Sequence, residues 1–177
     1  TEMDVNWVAS AGSTAGVVTA QSANDRIYVD IPAVACDGGV YYDIGHTLAD
    51  DENFYCSFTF QKNQAGNQHL ATNIGMSNNS LKANNSNNFV GIGRRDTIQR
   101  WRFYTTTGTL TDASGENVMI PDDSNEHGCV IMGNGYKQYQ CIIFKTAEIS
   151  PSNILTQISI TDTNNISGLR YFKVTGF

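Results

Sequence analysis

Apolar and polar residues alternate along most of this chain in short runs, each cut off by Gly, Asn or Asp. The clearest run is Asn53-Phe54-Tyr55-Cys56-Ser57-Phe58-Thr59-Phe60, with apolar even positions and mostly polar odd ones. Successive side chains on an extended backbone point to opposite faces, so this run predicts a strand with one buried and one wetted face. Similar runs predict strands over residues 16–21, 26–31, 39–43, 70–76, 88–93, 99–105, 117–120, 129–132, 136–146, 155–160 and 169–177. No segment sustains a 3.6-residue period, and the best helical candidate, near residues 146–150, runs into Pro151. The stretch 77–88 (SNNSLKANNSNN) is Asn-rich and reads as a long exposed loop. Strands separated by short turn-rich connections, with no repeat and no linker, lead to one all-β domain over residues 1–177: a two-sheet antiparallel β-sandwich.

Composition narrows the picture. At 177 residues the chain is long enough to bury a core without metal or disulfide staples. Hydrophobic residues make up 40% and charged residues 16%; the remainder is rich in Asn, Thr, Ser and Gly, which suits a neutral polar surface and many turns. A formal net charge of −6 speaks against general nucleic-acid binding and against docking on anionic lipid. No apolar run approaches the ~20 residues of a membrane-spanning helix. The opening Thr1-Glu2-Met3-Asp4 has neither the basic nor the apolar part of a secretory signal, as expected of a processed chain or an excised domain.

The cysteines are Cys36, Cys56, Cys129 and Cys141, and none falls in a C-x-x-C pair, so zinc or thioredoxin-like chemistry is not indicated. An even count allows two disulfides in any of three pairings. Cys56 shares a face with Phe54, Phe58 and Phe60 and points into the core, where a buried free thiol accounts for it equally well.

Several segments together carry a family resemblance. Val40-Tyr41-Tyr42-Asp43-Ile44-Gly45, then Leu48-Ala49-Asp50 and the aromatic run to Phe60, resembles the first half of concanavalin A-like (laminin-G-like) jelly-roll domains, where a YYDLG-x-x-L/V-S/A-D-x-x-F segment leads into a long core strand. Asn73-Ile74-Gly75-Met76-Ser77 is similar to the family's x-IGIS strand, and Asn88-Phe89-Val90-Gly91-Ile92-Gly93 to its DFIGFG strand. The closing run Ile166 to Val174 (ISGLRYFKV) is similar to a terminal ISGLRYIKI strand. The versions most like it belong to exported proteins of archaea, environmental microbes and viruses. The resemblance covers residues 5–177 and implies the jelly-roll sandwich. The family's calcium ligands and sugar contacts sit on variable loops, and no such residue can be carried over.

Catalysis finds little to stand on. Glycoside hydrolysis needs two carboxyl groups flanking the scissile bond, but Asp50-Asp51-Glu52 and Asp122-Asp123 are adjacent residues whose side chains diverge. His46, His69 and His127 lie beside turn residues, with no G-x-S-x-G context for a nucleophile. For metal, Asp122, Asp123, Asn125 and Glu126 place several hard oxygen donors in one loop, which admits calcium; ordinary turn formation explains the same residues. No cofactor is required by any motif.

Four of the six arginines fall in residues 94–102. On a strand, Arg100, Arg102 and Tyr104 share one face as a polar stripe suited to an acidic glycan or a partner's carboxylates, or to balancing Asp and Glu on a neighbouring strand; Arg94 is a further ligand-binding candidate, and Trp101 and Phe103, on the other face, join the core. Sequons occur at Asn78, Asn84 and Asn165, a number expected by chance from 18 asparagines.

The expectation is therefore a non-catalytic, extracellular surface-recognition module with a glycan as ligand, without nucleic acid or membrane insertion. The competing expectation is a structural subunit of a filament, tube, envelope or virion. It would associate with its own kind through strand edges and the N-terminal stretch, which could instead close the sandwich.

Overall fold

The computed structural model describes residues 7–9, 19–23, 26–30, 38–61, 72–80, 88–94, 101–107, 123–135, 137–162 and 166–176. The expected strand at 117–120 lies outside them, as do Cys36, Arg100, Asp122, Asn84 and Asn165.

The chain runs through β1 (Trp7–Ala9), β2 (Thr19–Ala23), β3 (Arg26–Asp30), β4 (Gly38–Asp43), β5 (Asn53–Phe60), β6 (Thr72–Ser77), β7 (Phe89–Arg94) and β8 (Trp101–Thr106). It continues with β9 (His127–Asn134), β10 (Gln138–Phe144), β11 (Ile154–Thr161) and β12 (Tyr171–Gly176). A 3-10 turn, Pro151–Asn153, precedes β11. Six strands form one antiparallel sheet in the order β1-β4-β12-β6-β7-β8, and four form a second in the order β11-β10-β9-β5. β2 and β3 make a separate hairpin. No helix among the described residues is long and apolar enough to cross a membrane.

The two larger sheets face each other as a β-sandwich. Phe58 of β5 meets Phe172 of β12 at 5.2 Å between ring centroids, and Phe60 meets Trp101 of β8 at 5.1 Å. The six-stranded sheet contributes Ile74, Met76, Val90, Ile92 and Phe103 to the interior; the four-stranded sheet contributes Cys129, Ile131, Cys141, Ile143 and Ile158. Burying each large aliphatic or aromatic side chain is worth roughly 1.5–3 kcal/mol, so this interior is the main source of stability.

The alternation read in Asn53–Phe60 appears as strict alternation of exposure along β5. Trp101 and Phe103 are core residues, at 5% and 0% exposure. β1 was not anticipated; it pairs with β4, so this part of the N-terminal stretch closes an edge of its own sandwich.

β6 and β7 are buried on both faces. Gly75 and Gly91 are Cα partners, and the Phe89 ring lies across them. A Cβ on Gly91 would stand 2.5 Å from the Phe89 ring and 2.8 Å from the Gly75 Cα, so only glycine admits this approach.

Candidate functional site

Of the predicted arginine stripe, the described members Arg102 and Tyr104 do not form an open surface. Arg102 and Tyr104 do share the outer face of the six-stranded sheet, but Tyr104 is 2% exposed and Arg102 half-buried. The reason lies opposite them: Tyr104 and Arg102 face Gly91 and Gly93 in β7, so the Tyr104 ring can lie along the sheet. It packs against Phe89 at 5.3 Å, and its hydroxyl donates to Asn73 Oδ1. Arg94 belongs to the other face. It sits opposite Trp101, in the same parity as Val90 and Ile92, and is 6% exposed.

The acidic loop forms a turn. The Asp123 carboxylate accepts from the Asn125 amide at 2.9 Å, from Asn125 Nδ2 at 3.0 Å and from His127 Nε2 at 2.9 Å. The other ring nitrogen, His127 Nδ1, lies 2.9 Å from Phe144 O and ties the turn to β10. Burial raises the Asp123 pKa, and the bonds from His127 and Asn125 outweigh it and hold the carboxyl below its ordinary value. Glu126 is half-buried on the same turn, and no three His, Cys, Asp or Glu side chains converge to hold a metal among the described residues.

Of the two alternatives left open for the cysteines, the described ones take the free-thiol form: Cys56, Cys129 and Cys141 are unbridged on the inner face of the four-stranded sheet. Cys129 and Cys141 sit diagonally on neighbouring strands with their sulfurs 3.8 Å apart, in contact and not bonded. Burial pushes the Cys56 thiol up to about 12 and raises that of Cys129, which leaves them protonated and unreactive at neutral pH. Asn78 is exposed at the end of β6, its Oδ1 accepting from the Asn88 amide at 2.9 Å.

The surface with the character of a binding site is one the sequence reading passed over: the outer face of the four-stranded sheet. Register defines its rows. Tyr55 lies beside Met132, Gln140 and Ser159; Ser57 beside Val130, Ile142 and Gln157; Asn53 beside Asn134, Gln138 and Thr161. None of these side chains is charged. Tyr55 is 62% exposed, and Leu155 of β11 adds 38% at the opposite edge, three strand spacings across (about 14 Å) and two rows farther along the sheet (about 13 Å).

One end of this face is closed by the connection from β10 to β11. Ile149 and Phe144 approach Gly128, the Gly128 amide donates to Thr146 O at 2.8 Å, and Asn153 Nδ2 bonds Thr146 Oγ1 and Glu148 O. Two amide contacts order the platform itself, Asn134 Nδ2 to Gln138 Oε1 at 2.8 Å and Gln140 Nε2 to Ser159 Oγ at 3.3 Å. The signal for Tyr55 was in the sequence, as an aromatic at a wetted position between two polar ones.

Among the described residues, nothing closes the sandwich beside β5. A cleft of about 390 Å³ lies between this strand and the facing sheet, lined by Phe54, Cys56, Ile44, Leu48, Met76 and Phe172, with Tyr42, Tyr55 and Ser57 at its sides.

No family profile and no curated protein matches the chain. Among solved structures it is similar to the CBM2 module of the evolved Dit of Lactobacillus casei BL23 phage J-1, with a TM-score of 0.60 and 9% identity over 99% of this chain and 83% of that one. It is also similar to a protein of unknown function from Shewanella oneidensis MR-1, with a TM-score of 0.59 and 10% identity over 96% of this chain and 70% of that one. At these identities the likeness carries the sandwich fold alone.

Proposed function

We propose that this protein is a non-catalytic, extracellular recognition module of the concanavalin A-like type that binds an uncharged glycan on the outer face of its four-stranded sheet. The observation that carries the reading is a charge-free face with Tyr55 standing out of it. A sugar ring has an apolar C–H face and a rim of hydroxyls that both donate and accept. Tyr55 offers a flat, amphipathic surface to the first. Gln140, Gln157, Gln138 and Asn134 carry donor and acceptor on one side chain and suit the second.

A charged ligand would find no counter-charge on these rows, so the acidic glycan suggested by the arginines gives way to a neutral one. The described side chains of this face include no carboxylate pair to work on a glycosidic bond, which favours binding over hydrolysis. The sandwich shared with a carbohydrate-binding module of a phage protein is in keeping with this use.

The test is a glycan array followed by titration of the hits. Neutral saccharides should bind, and Tyr55→Ala should weaken them at least about tenfold, the loss of a single stacking contact; Arg102→Ala should leave them unchanged. An array on which only sulfated or carboxylated glycans bind, or binding indifferent to Tyr55→Ala, would refute the assignment.

A further inference from the structure

We propose that β5 is a self-association edge, through which two copies of this chain pair antiparallel about a two-fold axis near Cys56 and Ser57 and merge their four-stranded sheets into one of eight strands.

β5 is the end strand of its sheet. Its partner is β9, and no strand borders its other side among the described residues. Eight residues of backbone, about 27 Å long, therefore present alternate N–H and C=O groups outward. Edge strands are normally protected by Lys, Pro, a bulge or a very short length. β5 has none of these: Asn53–Phe60 contains no charge and no proline, and its register with β9 is continuous.

The kind of partner follows from three demands. It must be extended, to complete the ladder. It must carry apolar side chains at alternate positions, because the open cleft beside β5 exposes Phe54 and Cys56 toward Ile44 and Phe172. It must be uncharged there, because no Lys, Arg, Asp or Glu among the described residues lines that cleft. β5 of a second copy meets all three.

Opposed residues in an antiparallel pair point to the same side. Any register that sets an even residue against an even one, such as Cys56 against Cys56 or Phe58, brings the apolar side chains of both copies to the cleft side. Tyr55, Ser57 and Thr59 then stay on the wetted side. The chain carries a net charge of −6, yet the joining strands add no like-charge contact, so this edge lets two acidic copies meet.

Sedimentation velocity over a wide concentration series, with hydrogen exchange of the β5 amides, decides it. The expected result is a mass rising from 19.4 kDa to twice that value, with β5 amides slowing as the dimer fills. Ser57 is an exposed, outward-facing residue, so Ser57→Lys should keep the wild-type dichroism and melting curve of the dilute protein. It sets two ammonium groups near the axis and should weaken association at least about tenfold.

A monomer at the highest concentration with fast-exchanging β5 amides overturns the proposal, as does a dimer that Ser57→Lys does not weaken. A monomer that takes up an anilinonaphthalene probe saturably at every concentration also overturns it, and assigns the cleft to a small apolar ligand. None of these readouts involves sugar, so the assembly and the glycan reading fail independently.

Discussion

The outer faces of the two sheets use similar side chains in opposite ways. On the six-stranded sheet Asn73, Ser77, Tyr104, Lys173 and Thr175 are all at most 2% exposed. On the four-stranded sheet Tyr55 is 62% exposed, with exposed Asn53, Ser57, Gln138, Gln157 and Ser159 on the same face. A covered polar group must find its partner inside the molecule or forfeit the water it gave up. Tyr104 does so by donating to Asn73, and Lys173 Nζ by donating to Asn79 O at 3.2 Å, while Asn73 Nδ2 and Thr175 Oγ1 find no hydrogen-bond partner among the described residues. Polar residues on the first face therefore serve the fold. On the second they remain exposed to solvent.

The largest effect that separates the faces concerns their glycines. Gly91→Ala should destabilise by roughly 3 kcal/mol in urea titration, because its Cβ runs into the backbone of β6 and the Phe89 ring. A Cβ on Gly128, on the four-stranded sheet, would meet nothing closer than 3.2 Å: the side chains of Ile149 at 3.2 Å and Phe144 at 3.3 Å, and the Thr146 carbonyl at 3.3 Å, so only small shifts are asked for. Gly128→Ala should therefore cost less than about 1 kcal/mol. Equal costs would mean that both faces are equally packed.

The tyrosines repeat the contrast on a smaller scale. Tyr104→Phe removes the donor to Asn73, whose Nδ2 already lacks a partner, and should cost about 1–3 kcal/mol of unfolding free energy. Tyr55→Phe should change stability by less than about 0.5 kcal/mol, since its hydroxyl stands in solvent. A Tyr55→Phe variant as destabilised as Tyr104→Phe would remove the open platform from the account.

Much of this was legible in the sequence, and what was not has a common cause. β5 was readable to the residue because one of its faces is wet and the other dry, so composition alternates with geometry. Trp101 and Phe103 were readable for the same reason. Period two says which side chains share a face. It does not say whether another part of the molecule covers that face, and so Arg102 and Tyr104 were grouped correctly and read as exposed wrongly. The face of Arg94 is not legible from its spacing to Arg102, because the two lie on different strands, and only pairing with Trp101 reveals it. β1 escaped because three residues carry too little alternation to stand out.

Acid should act on both sheets through carboxyl groups that the fold holds below their ordinary pKa. Asp43 takes a bidentate bond from Arg170 at 2.9 Å, with help from the Gly45 amide, and pins the β4 end to β12. Glu52 is lowered by His46 and by the Ala49 amide. Asp123 is lowered against burial by His127 and Asn125. A depressed folded pKa stabilises above the unfolded value and loses that contribution as pH falls through the folded one. The melting temperature should thus be level at neutral pH and drop as pH goes below the ordinary values of 3.8 for aspartate and 4.5 for glutamate. Asp43→Asn, followed by thermal melts against pH, should flatten part of that drop; an unchanged acid limb would show that the Arg170 pair contributes nothing.

The smallest effect sharpens the comparison by asking whether the sheets are separate units at all. The four-stranded sheet is assembled mainly from neighbours in the chain, β9, β10 and β11, whereas the centre of the six-stranded sheet joins β4 to β12 across most of the sequence. Lys137, in the tight β9–β10 connection, holds φ at 59°, a left-handed conformation that costs a side-chain-bearing residue roughly 1 kcal/mol. Its carbonyl accepts the Asp162 amide at 2.7 Å, a bond that glycine would keep. Lys137→Gly should therefore stabilise by up to about 1 kcal/mol, less the extra chain entropy glycine has to lose. If the sandwich unfolds cooperatively, hydrogen exchange will slow equally in β10 and in β12. If protection rises in β9 and β10 alone, the locally built sheet that carries Tyr55 opens on its own, and the covered sheet is the scaffold against which it folds.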